Sequence, residues 1–95
     1  MTAYLVANVT VRNAENMEAY AAAAGPTLAA HGGELILDGQ LSETLSGDWN
    51  APGVALVRFP SLEAAQTWYN SPEYQALAPL RASAADMDIA LFAPA

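Results

Sequence analysis

Apolar and polar residues alternate in four short segments of this chain, which is the pattern of strands in a half-buried sheet. Residues 3–11 show it best, because their odd-numbered positions are all apolar whereas their even-numbered positions mix apolar and polar side chains. β-branched and aromatic residues are frequent there, which also favours a strand. Residues 34–41, 54–59 and 87–93 predict three further strands.

An amphipathic helix is predicted between the first two strands. Its apolar stripe has spacings of three, four and seven and consists of Met17, Tyr20, Ala21, Ala24, Leu28 and His31. Asn13 can cap the N-terminus of this helix, and either Gly32 or Gly33 can end it in the left-handed conformation. Gly25 and Pro26 interrupt the pattern, so we expect a kink or a short restart there.

Two short helices are predicted between the third and fourth strands. Ser61 is placed to cap the first of them. Ser71 is placed to cap the second, with Pro72 at the first helical position, where its missing N–H is not needed.

Four side chains of these short helices carry most of the distinctive chemistry of the segment. The apolar stripe of the first helix continues from Ala65 to Tyr69, so we expect the ring of Tyr69 in the core with its hydroxyl bonded to a partner. Trp68 lies off that stripe, and we expect it at a contact between subunits. Arg81 falls seven residues after Tyr74, on the same face of the second helix.

The order of the predicted elements is β-α-β-β-α-β, which indicates an α+β, ferredoxin-like fold. In such a fold four antiparallel strands form one sheet, and the helices cover one of its faces. We expect residues 1–95 to form a single domain of this kind.

The sheet face that the helices leave uncovered is predicted to be too apolar for water and too polar for an ordinary core. It carries Tyr4, Val6, Asn8, Thr10, Ile36, Val54, Leu56 and Arg58. Two copies stacked through this face would form a dimeric α+β barrel, so we predict a homodimer. Arg58 then needs a carboxylate partner, and Glu34 and Asp38 share its face by strand parity.

The chain is 54% apolar and 14% charged, with a net charge of −7 and no lysine. It lacks the basic patch that nucleic acid or an anionic membrane requires. No apolar segment is long enough to span a bilayer and the N-terminus has no secretory signal pattern, so we expect a cytoplasmic protein. Because the chain has no cysteine and a single histidine, we expect no disulfide, no thiol nucleophile and no metal site.

Three residues have two interpretations each. His31, at a helix C-terminus, either bonds local carbonyl groups or acts as a general base or ligand anchor at the mouth of a pocket. Arg81 either neutralises the C-terminus of its helix or, beside Tyr74, holds a carboxylate or an enolate. Trp49, in a polar hairpin, is either an interface anchor or a lid over a pocket.

The run "VRFPSLEAAQTWYNSPEYQALAPLR", with "HGG" at 31–33 and "GDW" at 47–49, resembles the bacterial family called domain of unknown function 1330. The similarity covers nearly the whole chain. It implies the ferredoxin-like fold, a dimer and a pocket between helices and sheet. The family resembles the wider dimeric α+β barrel superfamily, which includes small monooxygenases of antibiotic biosynthesis, muconolactone isomerase and heme-degrading enzymes. The resemblance implies a catalytic role for no residue.

Three hypotheses for function follow from these features. The first is binding or conversion of a small organic molecule, acidic or aromatic, without a cofactor. Its predicted ligand-binding residues are Asn8, His31, Arg58, Tyr69, Tyr74 and Arg81, with His31 the candidate catalytic residue. The second is a non-catalytic dimeric module with a structural or regulatory role. The third is heme binding or heme degradation through His31.

Overall fold

Four strands and four helices are present in the computed structural model, which describes residues 1–94. The strands are β1 (Ala3–Val11), β2 (Glu34–Gln40), β3 (Gly53–Phe59) and β4 (Ala85–Phe92). The helices are α1 (Ala14–Ala30), α2 (Leu62–Tyr69), α3 (Pro72–Gln75) and α4 (Ala78–Ala84). Within these residues no helix is long and apolar enough to cross a bilayer. The strands form one antiparallel sheet in the order β2-β3-β1-β4, which confirms the predicted α+β, ferredoxin-like fold.

The ends of α1 are set by the residues that the sequence pointed to. The Asn13 side chain accepts a hydrogen bond from the backbone N–H of Asn16, which satisfies one free donor of the first turn. At the other end Gly32 has a φ of 78°, a value that side chains with a Cβ rarely adopt. Both caps therefore follow from local chemistry alone.

Pro26 lies inside α1, which runs from Ala14 to Ala30 without a break, so of the predicted kink or short restart the restart is wrong. A proline removes one backbone donor from a helix, but here the next residue holds the turn in place. The Thr27 hydroxyl donates to the carbonyl of Ala24 at 2.7 Å, and the indole N–H of Trp68 donates to that hydroxyl oxygen at 3.0 Å. These bonds do not replace the donor that Pro26 lacks, but they tie the turn of α1 next to Pro26 to α2.

Serine caps begin α2 and α3 as predicted. The Ser61 hydroxyl accepts from the N–H of Ala64, and the Ser71 hydroxyl accepts from the N–H of Tyr74. Ser71 is buried, and its hydroxyl also donates to the carbonyl of Trp68 at 2.7 Å. One serine therefore ends α2 and begins α3, which fixes the angle between them.

The buried side of α2 differs from the predicted one. Trp68 is 3% exposed and Ala65 is fully buried, whereas Leu62 and Tyr69 are 39% and 36% exposed. The two predictions for Trp68 and Tyr69 are therefore wrong: Trp68 lies in the core and not on the surface, and the ring of Tyr69 is partly exposed. Positions 61, 65 and 68 are as good a helical stripe as 62, 65 and 69, so spacing alone does not choose between them.

The two faces of the sheet follow the predicted division in β1. Leu5 lies opposite Val57 on the face that the helices cover, and both side chains are buried. Tyr4 lies opposite Arg58 and Phe92 on the uncovered face, where Phe92 is 57% exposed. The apolar core is therefore on one side of the sheet only.

A β-bulge in β2 exchanges the faces of the residues that follow it. Residues 35 and 37 of β2 pair with the adjacent residues 57 and 56 of β3, so Ile36 is an extra residue between them. Asp38 is consequently opposite Ala55, on the helix-covered face. Strict alternation predicted it on the uncovered face beside Arg58, and the bulge makes that prediction wrong.

Candidate functional site

A cavity of about 950 Å³ lies between α1 and the helix-covered face of the sheet. It exists because the helices leave β2 uncovered: Leu35, on this face at the sheet edge, is 54% exposed, whereas Leu5 in the central strand β1 is 4% exposed. Most of its lining is apolar and includes Leu5, Ala7, Val57, Met17, Leu28 and Ile89. A cavity of this size and character is able to hold a small organic molecule.

One wall of the cavity is aromatic. The ring centroids of Trp68 and Tyr74 are 4.1 Å apart, and the two planes are inclined by 38°. Phe59 packs against Trp68 at 5.6 Å, and the hydrogen bond to Thr27 fixes the indole ring. Both Trp68 and Tyr74 border the cavity, although they are only 3% and 1% exposed, so this wall is aromatic and tightly packed.

A chain of hydrogen bonds runs through the aromatic wall and is called here the Tyr20–Tyr74–Arg81 chain. Arg81 Nη1 donates to the Tyr74 hydroxyl at 2.8 Å, and the Tyr74 and Tyr20 hydroxyls are 2.7 Å apart. The Arg81 guanidinium carbon also lies 5.6 Å from the centroid of the Tyr74 ring. Tyr20 and Tyr74 line the cavity, so a cation is coupled to the cavity wall through two phenol groups.

The environment raises the pKa of Tyr20 and that of Arg81 in this chain. Burial, and then the hydrogen bond with Tyr74, raise the pKa of Tyr20 well above the ordinary value for tyrosine. Burial on its own lowers the pKa of the Arg81 guanidinium, but its hydrogen bond to Tyr74 and its closeness to Tyr69 raise it above the ordinary value. Tyr20 is therefore a proton donor and not a base.

Tyr20 is not among the residues predicted for the site. It was assigned to the apolar stripe of α1, where indeed its ring is buried. A buried tyrosine needs a partner for its hydroxyl, and that requirement is the signal that could have pointed to it. The sequence gives no means of choosing Tyr74 as that partner, because the two residues are 54 positions apart.

Polar side chains also line the cavity away from the aromatic wall. They are Glu18, Asp38 and Gln40. Glu18 comes from the N-terminal half of α1, and Asp38 comes from β2 after the bulge. Both carboxylate side chains belong to exposed residues, so they stand where the cavity opens to solvent.

The structure does not bring the six predicted ligand-binding residues into one pocket. Tyr74 lines the cavity, and Arg81 reaches it through the hydrogen bond to Tyr74. Tyr69 lies beside Tyr74, at 5.6 Å between ring centroids, but is not part of the cavity lining. The prediction of a single pocket with six lining residues is therefore corrected to one cavity that includes Tyr74 and is coupled to Arg81.

Asn8 and Arg58 lie on the uncovered face of the sheet, because both have the parity of Tyr4. Arg58 Nη2 donates to Glu34 Oε2 at 2.8 Å, the ion pair that strand parity predicted for this face. This hydrogen bond raises the pKa of Arg58. Asn8 borders a second, polar hollow of about 750 Å³, which Arg81 also borders.

Trp49, in the hairpin between β2 and β3, borders the same polar hollow as Asn8. The tryptophan is 56% exposed and does not line the cavity under α1. In this chain it is therefore not a lid over that cavity.

His31 lies at the C-terminus of α1, at a surface hollow of about 690 Å³ that also includes Glu63 and Asn70. Its Nδ1 is 3.0 Å from the carbonyl oxygen of Thr27. A carbonyl only accepts, so Nδ1 carries the proton, and this bond is the local carbonyl contact that one of the two interpretations described. His31 does not line the cavity. Among residues 1–94 no group of three or more His, Asp or Glu side chains is placed to hold a metal ion.

Comparison with known proteins identifies the family. Residues 2–94 match the family described as domain of unknown function (DUF1330). The chain belongs to this family. No curated protein matches the sequence of this DUF1330 member.

Solved structures with the same fold include the following three. A protein of unknown function from Rhodopseudomonas palustris is 23% identical, with a TM-score of 0.82 over 99% of this chain and 82% of that one. SnoaB, a cofactor-independent oxygenase from Streptomyces nogalater, is 18% identical, with a TM-score of 0.72 over 99% and 93%. A dimeric ferredoxin-like protein of unknown function from Thermobifida fusca is 15% identical, with a TM-score of 0.63 over 99% and 92%. At these identities the likeness concerns the fold.

Proposed function

We propose that this DUF1330 protein binds a small ring-bearing molecule with a carbonyl or hydroxyl oxygen in the cavity under α1. The observation that carries the proposal is the Tyr20–Tyr74–Arg81 chain in the wall of an otherwise apolar cavity. Polar groups that converge in an apolar pocket are the usual mark of a ligand site, since they orient the ligand while the apolar walls bind it.

The direction of the hydrogen bonds supports a ligand with an acceptor oxygen. Arginine only donates, so Arg81 supplies the first proton and the Tyr74 oxygen accepts it. When Tyr74 then donates its own proton to Tyr20, the proton of the Tyr20 hydroxyl is left for an acceptor in the cavity. Successive hydrogen bonds polarise one another, which makes this terminal donor stronger.

The proposed reaction is oxygenation of the bound molecule by O₂ without a cofactor. SnoaB, which has the same fold, is described as a cofactor-independent oxygenase. A donor chain that ends on a cation favours negative charge on a substrate oxygen, which is the charge that develops when a phenol or enol is activated. Tyr20 is the proposed contact to that oxygen, and Arg81 acts through Tyr74.

The test is a binding and oxygen-uptake experiment on two variants. Aromatic ketones and phenols are screened for an increase in melting temperature, since ligands that bind only the native state raise it. The best ligand is then measured with an oxygen electrode. Tyr20→Phe should weaken its binding and abolish oxygen uptake, whereas Tyr4→Phe, on the other face of the sheet and outside the cavity lining, should change neither. A screen in which no compound raises the melting temperature would favour the non-catalytic module.

We also propose that two copies of the chain pack through their uncovered sheet faces. Apolar side chains on this face are exposed in one chain, with Phe92 at 57% and Leu37 at 49%. Covering them removes apolar area from water, and the ion pair of Arg58 with Glu34 already satisfies the arginine on this face. The Thermobifida fusca protein with the same fold is described as dimeric, which supports the proposal.

Sedimentation equilibrium tests this assembly. The apparent mass of the wild-type protein should equal that of two chains. Phe92→Asp should shift the apparent mass towards that of one chain, because a buried unpaired carboxylate is costly. Leu62→Asp, on the outer side of α2, is the control and should leave the dimer intact. A wild-type chain that sediments as a monomer at all concentrations contradicts the proposal.

Heme binding through His31 receives no support from the position of this residue. The imidazole lies outside the cavity, at a surface hollow with polar neighbours. An absorbance titration with hemin is the direct check, and no shift of the Soret band is expected.

A further inference from the structure

We propose that the cavity selects its ligand by charge, and that the ligand carries a basic nitrogen near Asp38 and Glu18 and no carboxylate. This inference deepens the proposed function and rests on it, since it concerns the same cavity. The sequence led us to expect an acidic or aromatic ligand. The inference replaces the acidic ligand with a cationic one, and a neutral ligand is expected to bind less tightly than a cationic one.

The β-bulge at Ile36 is the first step of the argument. If β2 alternated regularly through Ile36, with no bulge, Asp38 would share the face of Glu34 and would lie outside the cavity. With it, Asp38 is opposite Ala55 and becomes part of the cavity lining, as does Glu18 of α1. The fold therefore places a carboxylate in an apolar cavity by means of a local irregularity, and bulges often re-aim side chains next to functional sites.

The second step is an account of all the basic side chains. The sequence has three arginines, no lysine and one histidine. Arg12 is bonded to Asp86, Arg58 to Glu34 on the other face of the sheet, and Arg81 to Tyr74. None of these four basic side chains lines the cavity. Within residues 1–94 the charged side chains that line it are thus the two carboxylates alone.

Electrostatics turns this arrangement into selectivity. An organic anion that enters an apolar cavity loses hydration and finds no cation in the lining, only the charge of Arg81 relayed through two phenol groups, while two carboxylates repel it. An ammonium group of similar size is attracted by the same carboxylates. Because Asp38 and Glu18 are exposed, solvent screens the attraction, and each contributes about fivefold in affinity, the equivalent of about 1 kcal/mol.

Three probes with one ring system and different end groups test the inference. Naphthylethylamine, naphthylethanol and naphthylacetate are titrated into the protein by calorimetry at neutral pH. The expected order of affinity is amine, then alcohol, then carboxylate. Asp38→Asn and Glu18→Gln should each lower the affinity for the amine about fivefold and raise the affinity for the carboxylate. Glu15→Gln is the control: it changes the net charge equally, on the same helix as Glu18, but does not line the cavity.

The outcomes separate this inference from the function on which it rests. When the alcohol binds but the amine binds no more tightly than the carboxylate, selection by charge is overturned and the cavity remains a binding site. It is also overturned when the amine is preferred but neither Asp38→Asn nor Glu18→Gln reduces the preference more than Glu15→Gln does. When none of the three probes binds, the proposed function fails together with the inference.

Discussion

The two halves of the helix-covered side of the sheet are packed very differently. Where α2 and α3 pack on the sheet, Phe59 of β3 is fully buried, and Trp68 and Tyr74 of these helices are 3% and 1% exposed. Under the N-terminal part of α1, β2 is left uncovered, Leu35 is 54% exposed, and a cavity of about 950 Å³ remains. The same sheet thus supports a closed aromatic core on one side and an open apolar cavity on the other.

This difference shows how stability and binding are separated in a chain of 95 residues. A short chain buries only a limited share of its surface, so a cavity of this size must be offset by dense packing elsewhere. The aromatic cluster around Trp68 provides that packing and forms the rigid wall of the cavity at the same time. Substitutions in the two halves should therefore have unequal effects on folding.

The largest expected effect comes from Phe59→Ala. Removing this fully buried ring should lower the free energy of unfolding by about 3–5 kcal/mol, because it leaves a void beside Trp68. Leu35→Ala, in the open half, should cost about 1 kcal/mol or less, because its side chain is already half exposed. Urea unfolding of both variants makes the comparison, and equal losses would show that the two halves are packed alike.

Tyr74→Phe should have the next largest effect. It leaves Arg81 and Tyr20 without their shared partner, which should cost about 1–3 kcal/mol in unfolding free energy. Tyr69→Phe removes a hydroxyl from a partly exposed ring of the same cluster and should cost about 0.5 kcal/mol or less. If Tyr69→Phe proves as costly as Tyr74→Phe, the hydrogen-bond chain does not stabilise the wall.

The stability of the protein should fall at alkaline pH because of Tyr20. The folded state raises the pKa of this phenol above the ordinary tyrosine value of about 10. Its contribution to the free energy of unfolding is therefore fully present below about pH 10. Above that pH the unfolded chain loses the proton first, and the free energy of unfolding decreases as pH rises. Urea unfolding between about pH 8 and about pH 11 measures the decrease, and Tyr20→Phe should make it shallower. An unchanged slope in that variant contradicts the assignment.

The smallest effect is expected on the other face of the sheet. Glu34→Gln removes the charge that pairs with Arg58, but both side chains are largely exposed. Exposed ion pairs contribute little, so the melting temperature of this variant should be almost unchanged. Glu34 begins the edge strand β2, so we expect the ion pair at the solvent-exposed rim of the proposed dimer contact. A large loss of stability would mean that the dimer contact extends over this pair.

The parts of the fold that depend on neighbours in sequence were predictable. The caps at Asn13, Ser61 and Ser71 and the turn at Gly32 rest on the chemistry of single residues, and each was found where expected. The order of strands and helices followed from apolar spacing in the same way.

The features that were not predictable depend on residues far apart in the chain. The bulge at Ile36 lies between two leucines, with no glycine or proline at that point to mark it, and so the cavity-facing position of Asp38 was missed. Burial of Trp68 in place of Tyr69 is decided by Phe59 and by Thr27, which lies 41 positions away. Both of these tertiary effects shape the candidate site. The pattern predicted Tyr74 and Arg81 as neighbours on one helical face. The structure places them in the separate helices α3 and α4, where they are still joined by a hydrogen bond.

The claim that the cavity is a ligand site is tested most directly by blocking it. Ala21 and Ala22 are both exposed on α1, but only Ala21 lines the cavity. Phenylalanine at either position has the same helix propensity, so the two variants differ in where the ring lies. Calorimetric titration of both with naphthylethanol should show about tenfold weaker binding for Ala21→Phe and unchanged binding for Ala22→Phe. Equal affinities in the two variants would contradict the claim that the ligand binds under α1.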